Sequence, residues 1–296
     1  MKLKFKDKIG IVTVLYNSES VIKEFFESLS RQTYDNIVLY VIDNKSPDNS
    51  VTECKKYESL ISFDVKYILN EENYGVAKGN NLGIQEALKD NCEYILLSNN
   101  DVVLRSDTIE NLYDGLCKEN ALLAVPKIYF YKTNRFWACG GKFNKLKAST
   151  PHFGYNIEDK GQFDKNSFVD YAATCFMLIH KSVFEKVGFM DEKYFVYYDD
   201  SDFIYRVTQI QKLPLIYIHN SVMEHKESVS TGKHSDFFYR YVFRNSIYFR
   251  KKYYKLWRLF YLVELVATYS IRRFRFRKNI HQWYIIRDAI REGAKL

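Results

Sequence analysis

Short apolar runs alternate with amphipathic stretches over the first 130 residues. Ile9–Leu15 (IGIVTVL) and Ile37–Ile42 (IVLYVI) are β-branched and too short for helices, so they read as strands. Between them, Glu19–Ser30 places Val21, Ile22, Phe25, Phe26 and Leu29 on one helical stripe. The turn-rich Asp43–Ser50 segment follows, then a helix through about Leu60. Phe63–Leu69, Tyr94–Leu97 and Leu122–Tyr131 predict further extended segments, and Val76–Lys89 and Asp107–Glu119 further helices. This rhythm predicts an α/β fold with a mostly parallel central sheet and helices on both faces, because wholly apolar strands must be buried on both sides.

Beyond Tyr131 the pattern is less regular. Residues 135–167 are loop-rich, with Gly140, Gly141, Pro151, Gly154 and Gly161. Phe168–Ile179 is apolar, Lys181–Val187 reads as a short helix, Asp199–Gln211 as a helix and Leu215–Ile218 as a strand. From Asp236 the chain reads as helical to its end.

Composition narrows the class. The 296 residues are 47% apolar and 27% charged, enough for a sizeable core and against long disorder. Five cysteines, at 54, 92, 117, 139 and 175, have no CxxC spacing, which argues against a zinc knuckle or a disulfide framework and for a reducing compartment. The charged start does not read as a signal peptide, and no run of 18 uncharged apolar residues predicts a membrane span. Net charge is uneven. From Lys233 onward there are 16 Lys/Arg against 4 Asp/Glu, whereas residues 1–232 carry 28 against 32. A mildly acidic body thus precedes a basic, aromatic tail, which is either a solvated helical face or a surface for anions.

In an open α/β sheet, ligands bind beyond the carboxyl ends of the strands. Those ends are polar here. Tyr16, Asn17 and Ser18 follow the first strand, and Asp43, Asn44 and Ser46 the second. Asn70, Asn73, Gly75, Lys78, Gly79 and Asn80 follow the third, and Ser98, Asn99, Asn100 and Asp101 the fourth. Any one of these loops is explained by turn and cap preferences. Four in succession, the last closing on a carboxylate, predict a binding edge. No glycine-rich dinucleotide or phosphate loop follows the first strand, which excludes a Rossmann oxidoreductase, a P-loop kinase and a sugar nucleotidyltransferase. Asp199, Asp200 and Asp202 open a predicted helix, where acidic residues also suit the dipole. Asp202 and Arg206 are spaced to pair, and one carboxylate at a cleft can serve as a general base. His225 taken alone is an ordinary surface histidine or a metal ligand.

Taken together these pieces resemble the family 2 glycosyltransferases with their GT-A, Rossmann-like fold. The matching segments are Val12–Asn17, Val41–Ser46, Asn73–Gly83, Leu96–Asp101 and Tyr198–Phe203, with His225 placed 25 residues beyond Asp200. The likeness covers roughly residues 8–250 and is nearest to the branch that transfers rhamnose or galactofuranose in bacterial surface glycan assembly. It implies an inverting transferase that moves a sugar from a UDP- or dTDP-sugar donor to a glycan acceptor, lipid-linked or protein-linked. Asp43 would accept from N3–H of the base, and Thr13, Tyr16, Asn17 and Asn73 would frame base and ribose. Gly75 and Gly79 would allow close backbone approach, with Lys78, Asn99 and Asn100 in the same donor site. Asp101 and His225 would hold a divalent cation, manganese or magnesium, against the diphosphate. Asp200, with Asp199 beside it, would deprotonate the acceptor hydroxyl. One departure is Asn99, where the family commonly has the first Asp of an Asp-x-Asp motif; another is Asp199 in place of Glu.

The resemblance implies a catalytic domain over residues 1–236, with donor binding in about 1–130 and acceptor chemistry in 131–236. Residues 237–296 follow as a basic, aromatic helical extension. That extension is expected to pack on the catalytic domain. It would either meet anionic lipid through Trp257, Phe260, Tyr261, Phe274 and Phe276 with their basic neighbours, or join two copies of the chain. The expected location is cytoplasmic, peripheral on the inner face of the plasma membrane. A glycoside hydrolase also needs two carboxylates but not the donor-site residues. A degenerate fold acting as a binding module is supported only by Asn99. No nucleic-acid motif accompanies the basic tail, so no nucleic-acid partner is expected.

Overall fold

The computed structural model describes residues 6–144, 149–226, 235–259, 261–263 and 280–296. Its first half follows the apolar pattern closely. β1 (Ile9–Leu15), α1 (Glu19–Leu29), β2 (Ile37–Asp43), α2 (Ser50–Tyr57), β3 (Asp64–Leu69), α3 (Gly75–Lys89) and β4 (Tyr94–Ser98) succeed one another. A single 3-10 turn, Glu58–Leu60, ends the α2 region. The predicted α1 stripe is the buried face: Val21, Ile22, Phe25, Phe26 and Leu29 all lie in the core.

The second half comprises β5 (Val102–Leu104), α4 (Thr108–Lys118), β6 (Leu123–Phe130), β7 (Phe136–Ala138), β8 (Ser167–Phe168), β9 (Phe176–His180), α5 (Ser182–Val187), α6 (Asp199–Ile204), β10 (Leu215–His225), α7 (Asp236–Tyr253) and α8 (Ile280–Lys295). Two differences from the sequence pattern matter. The strand expected over Leu215–Ile218 continues to His225 across a register shift between Ile218 and Val222. The helix expected to Gln211 is α-helical only through Ile204 and then widens into a π-turn over Tyr205–Ile210.

The sheet runs β3-β2-β1-β4-β9-β6-β10-β5, with β7 on β6 and β8 on β10. The ladders joining β3, β2, β1 and β4 are parallel, as is the long β6–β10 ladder. β9 enters antiparallel between β4 and β6, so the parallel rule holds within each half and not across their junction. One core cluster packs α1 and α4 on one face, through residues such as Phe25, Phe26 and Leu112. The other packs α3, α5 and α6 through Ile84, Phe184 and Phe203.

The C-terminal helices are integral to this body. Ser235 caps α7 by accepting from the Phe238 N–H at 3.1 Å. Ile247, Ile286 and Ile290 form a small core between α7 and α8. The continuous helix expected from Asp236 is interrupted after Tyr253, where Tyr254 takes an extended conformation. Residues 257–259 and 261–263 are helical. The expectations for Phe260, Phe274 and Phe276 and for the arginines at 272–277 lie outside the described residues. Among the described residues, no helix is long and apolar enough to cross a membrane.

Candidate active site

A cleft of about 830 Å³ opens beyond the carboxyl ends of β1, β2 and β4. This is the edge where consecutive parallel strands leave room for a ligand, because their crossovers depart in opposite directions. Of the residues singled out in the sequence, Tyr16, Ser18, Asn44, Asn73, Gly75, Asn80, Ser98, Asn99, Asn100, Asp101 and His225 line it together.

Asp101 and His225 lie 124 positions apart in the chain and meet through sheet pairing. β5 starts right after Asp101, and its Val102 stands opposite His225 in the antiparallel β5–β10 ladder. The Lys226 N–H donates to the Asp101 carbonyl at 2.9 Å, which extends the ladder by one bond. The result is His225 Nε2 at 3.1 Å from Asp101 Oδ1. Burial pushes the Asp101 carboxyl up, but His225, with the Asn99 side chain, outweighs burial and holds it below its usual range. Trp137 stands edge-on to the His225 ring at 4.7 Å. Among the described residues, the buried His225 Nδ1 has no hydrogen-bond partner.

A carboxylate and an imidazole side by side on a cleft wall suit a divalent cation that takes its other ligands from a diphosphate and water. Among the described residues, no group of three or more His, Cys, Asp or Glu side chains converges. The described residues thus bring one carboxylate and one imidazole together here. Asn99 contributes an amide where a second carboxylate would otherwise stand.

The neighbouring loops are held tightly. Asn100 Nδ2 donates to the Val14 carbonyl at 2.9 Å, tying the fourth strand end to the first. Asn44 Nδ2 donates to the Gly75 carbonyl at 3.0 Å and its Oδ1 accepts from Asn70 at 2.9 Å. Asn73 Oδ1 accepts from the Gly75 N–H at 2.9 Å, and the Phe195 carbonyl accepts from the Val76 N–H at 2.7 Å. These first amides of α3 are thus already bonded within the protein. Gly75 has φ +78, and a Cβ there would sit 2.3 Å from the Phe195 carbonyl oxygen. Its lack of a side chain serves this contact.

Other sequence candidates stand outside the cleft wall. Gly79 packs against Val14, whose methyl would lie 2.9 Å from an added Cβ, so its smallness is used for helix-on-strand packing rather than for ligand approach. Thr13 is buried, and among the described residues its hydroxyl has no hydrogen-bond partner. Asn17 is an exposed turn residue at φ 55. Asp43 is buried at the end of β2, where its two oxygens accept from the Ser46 N–H at 3.2 and 3.3 Å. The Lys78 ammonium lies 3.6 Å over the Tyr74 ring.

The acidic cluster divides three ways. Asp202 is fully buried and paired with Arg206 at 3.0 Å, as the four-residue spacing predicted, with Lys252 and Tyr253 completing its shell. Asp199 is buried; burial, then the charge of Asp200, raise its carboxyl to about 8. Asp200 is partly exposed, with Oδ1 accepting from the Ser201 N–H at 2.6 Å and Oδ2 from the Tyr171 hydroxyl. Burial and the adjacent Asp200 charge push the Tyr171 hydroxyl far up, which keeps it protonated and donating.

The sequence reading missed the far wall. Trp137, Thr174, Phe195, Val196, Tyr197, Phe237 and Tyr241 complete the cleft. Phe195 and Tyr241 stack with centroids 5.2 Å apart, and Phe237 stands 4.7 Å from Tyr241. No local pattern marks these aromatics, which lie on loops and on α7 and converge only in the folded chain.

The chain is 26% identical over 257 residues to the low-salt glycan biosynthesis hexosyltransferase Agl10 of Haloferax volcanii, covering 82% of this chain and 77% of that one. It is 29% identical over 199 residues to the dTDP-rhamnosyl transferase RfbF of Shigella flexneri, covering 67% and 62%. Its fold resembles that of GalNAc-T7, solved with UDP, GalNAc and Mn2+, with a TM-score of 0.65, 14% identity and coverage of 86% and 49%. The family model for glycosyl transferase family 2 matches residues 10–188, well over half of the chain, and the chain belongs to that family.

Proposed function

We propose that this chain is an inverting, cation-dependent transferase that moves a hexose from a UDP- or dTDP-linked donor to a glycan acceptor during surface polysaccharide or glycoprotein assembly. The single observation that carries this reading is the Asp101–His225 pair, 3.1 Å apart in the wall of the cleft. Its chemistry is that of an oxygen- and nitrogen-ligated cation beside phosphate. Relatives named as a hexosyltransferase and a dTDP-rhamnosyl transferase, and a structural neighbour solved with UDP and Mn2+, support the same direction.

Asp101 and His225 would hold manganese or magnesium, which when bound neutralises charge on the leaving nucleoside diphosphate. Asn73, Asn99, Asn100 and Tyr16 offer amide and hydroxyl groups for the donor. Asp43, next to the cleft residue Asn44, keeps lone pairs free beyond its Ser46 contacts and is assigned to the base. Thr13, Asn17, Lys78 and Gly79 shape the surrounding shell. Asp200 is assigned as the base that takes the acceptor hydroxyl proton. Its Oδ1 accepts from both the N–H and the hydroxyl of Ser201, its Oδ2 has a lone pair beyond that bonded to Tyr171, and these donors fix its orientation. Asp199 beside it is buried, and burial and the neighbouring Asp200 charge raise its carboxyl.

A screen of nucleotide sugars with the purified chain, with and without manganese, tests this by reading nucleoside diphosphate release. Release that requires acceptor and cation is expected. Asn99 favours a second reading, a family 2 fold kept as a binding module. Acceptor binding with no nucleotide-sugar turnover would select it.

A further inference from the structure

We propose that Asn245, on α7, is a positioning residue for the segment that presents Asp199 and Asp200. This rests on the assignment of Asp200 as the base. Asn245 is fully buried, 0% exposed. Its Nδ2 donates to the Val196 carbonyl and to the Tyr197 carbonyl, both at 2.8 Å. Its Oδ1 accepts from Arg244 Nη1 at 2.6 Å. Two carbonyls on one side and a guanidinium on the other dictate the amide's orientation, since only its nitrogen donates and only its oxygen accepts.

The held segment is a costly one. Tyr197 and Tyr198 sit consecutively in the left-handed region, at φ 62 and 65. Each such residue is strained and persists only where the surroundings over-determine it. Here the carbonyls are taken in sequence. Asn245 binds those of Val196 and Tyr197, and the Asp202 N–H of α6 donates to that of Tyr198 at 2.8 Å. The double turn therefore ends directly in the first turn of α6, where Asp199 and Asp200 stand. Upstream, Phe195 is pinned to α3 by the Val76 bond, so the segment is gripped from both sides.

The grip extends to the end of the chain. Arg244 also donates to the Lys193 carbonyl at 3.0 Å and to Glu292 Oε1 at 2.8 Å, which links α8 to the same turn. Without the Asn245 amide, the Val196 and Tyr197 carbonyls lose these two bonds and the left-handed pair relaxes toward ordinary backbone. The Asp200 carboxylate then moves relative to the cleft, while the donor-side residues on β1, β2 and β4 keep their own bonds.

The test uses the full chain with Asn245→Ala and Asn245→Asp, the latter keeping the volume but removing both donors. The kcat for transfer should fall on the order of 10- to 100-fold, as expected for a misplacement of about 1 Å, with the affinity for the nucleoside diphosphate within about twofold. Amide exchange in residues 195–202 should quicken at least about tenfold, with β1–β4 unchanged. A kcat above half of wild type overturns the proposal. So does a joint fall in kcat and nucleotide affinity with faster exchange throughout, which is plain destabilisation. Should the wild-type chain transfer no sugar, the assignment of Asp200 fails, and exchange still decides the positioning role. If neither variant folds, Glu292→Gln on the half-exposed end of the run is read the same way by exchange. Faster exchange at 195–202 supports the proposal and unchanged exchange overturns it.

Discussion

Gly75→Ala is the substitution whose consequence the structure quantifies best. Residue 75 sits at φ +78, which costs an alanine about 1–2 kcal/mol. The new Cβ would lie 2.3 Å from the Phe195 carbonyl oxygen and 2.7 Å from its ring, so the Phe195 backbone must retreat. That retreat breaks the 2.7 Å bond from the Val76 N–H, worth about 1 kcal/mol net. Overpacking of the ring adds about 1–3 kcal/mol. The total is about 3–6 kcal/mol. At about 2.1 cal/mol/K per residue this chain loses about 1.6 °C per kcal/mol, a drop of about 5–10 °C in the melting midpoint. Gly188 is the internal control. It has φ +77 with ψ −171, a region open essentially to glycine alone, and among the described residues nothing lies within 4 Å of an added Cβ, so Gly188→Ala should lose only a backbone component of about 1–3 kcal/mol, about 2–5 °C. Calorimetric melting of both variants is the assay. Nucleotide titration should show weaker binding for Gly75→Ala alone, because Phe195 lines the cleft. Equal shifts for the two variants would refute the claim that the Phe195 contact, and not φ, makes this glycine necessary.

Asp200→Asn should lower turnover by about 10²–10⁴ with nucleotide affinity retained; a loss under about tenfold would remove Asp200 as the base. His225→Ala and Asp101→Asn should abolish the difference in nucleoside diphosphate affinity measured calorimetrically with manganese and with EDTA; an undiminished difference would place the cation elsewhere. Asp199 has a folded pKa raised to about 8 by burial and by Asp200, so its contribution to stability is complete below its unfolded pKa and is lost as pH rises through about 8. Denaturant unfolding should show that decline in the wild type and a flatter profile in Asp199→Asn; parallel profiles would exclude the buried neutral carboxyl. The basic tail should bring the full chain down with anionic but not neutral vesicles, and less so at high salt; salt-independent or absent sedimentation would leave the tail to protein contacts.

β1, β2 and β4 were legible because burial on both faces imposes continuous apolar runs, β3, an edge strand with no buried residue, was read from its β-prone residues alone, and the helices were legible because burial on one face imposes a 3.6-residue stripe. The polar strand ends were legible for the same reason: they stand out against such runs. β5 escaped because its three residues, Val102–Leu104, are too few to show a period. The extension of β10 to His225 escaped because the bulge after Ile218 breaks the alternation that would announce it. α7 was recognised as a helix, but its partners were not. Gly75 and Gly79 were read as places for close backbone approach to a nucleotide; what an added Cβ would meet there is Phe195 at one and Val14 at the other.

Sequence alone determined which residue types stand at each strand end, because local periodicity records which positions must be dry and which turn into solvent. It determined the Asp202–Arg206 pair for the same reason, since both lie on one helix turn. What brings Asp101 beside His225, Asn245 against Val196 and Tyr197, and Phe195 across from Tyr241 is pairing between segments tens to more than a hundred residues apart. No local period encodes such contacts. They follow from which strand edge β5 finds and where α7 docks, choices settled by the whole set of ladders and buried faces at once.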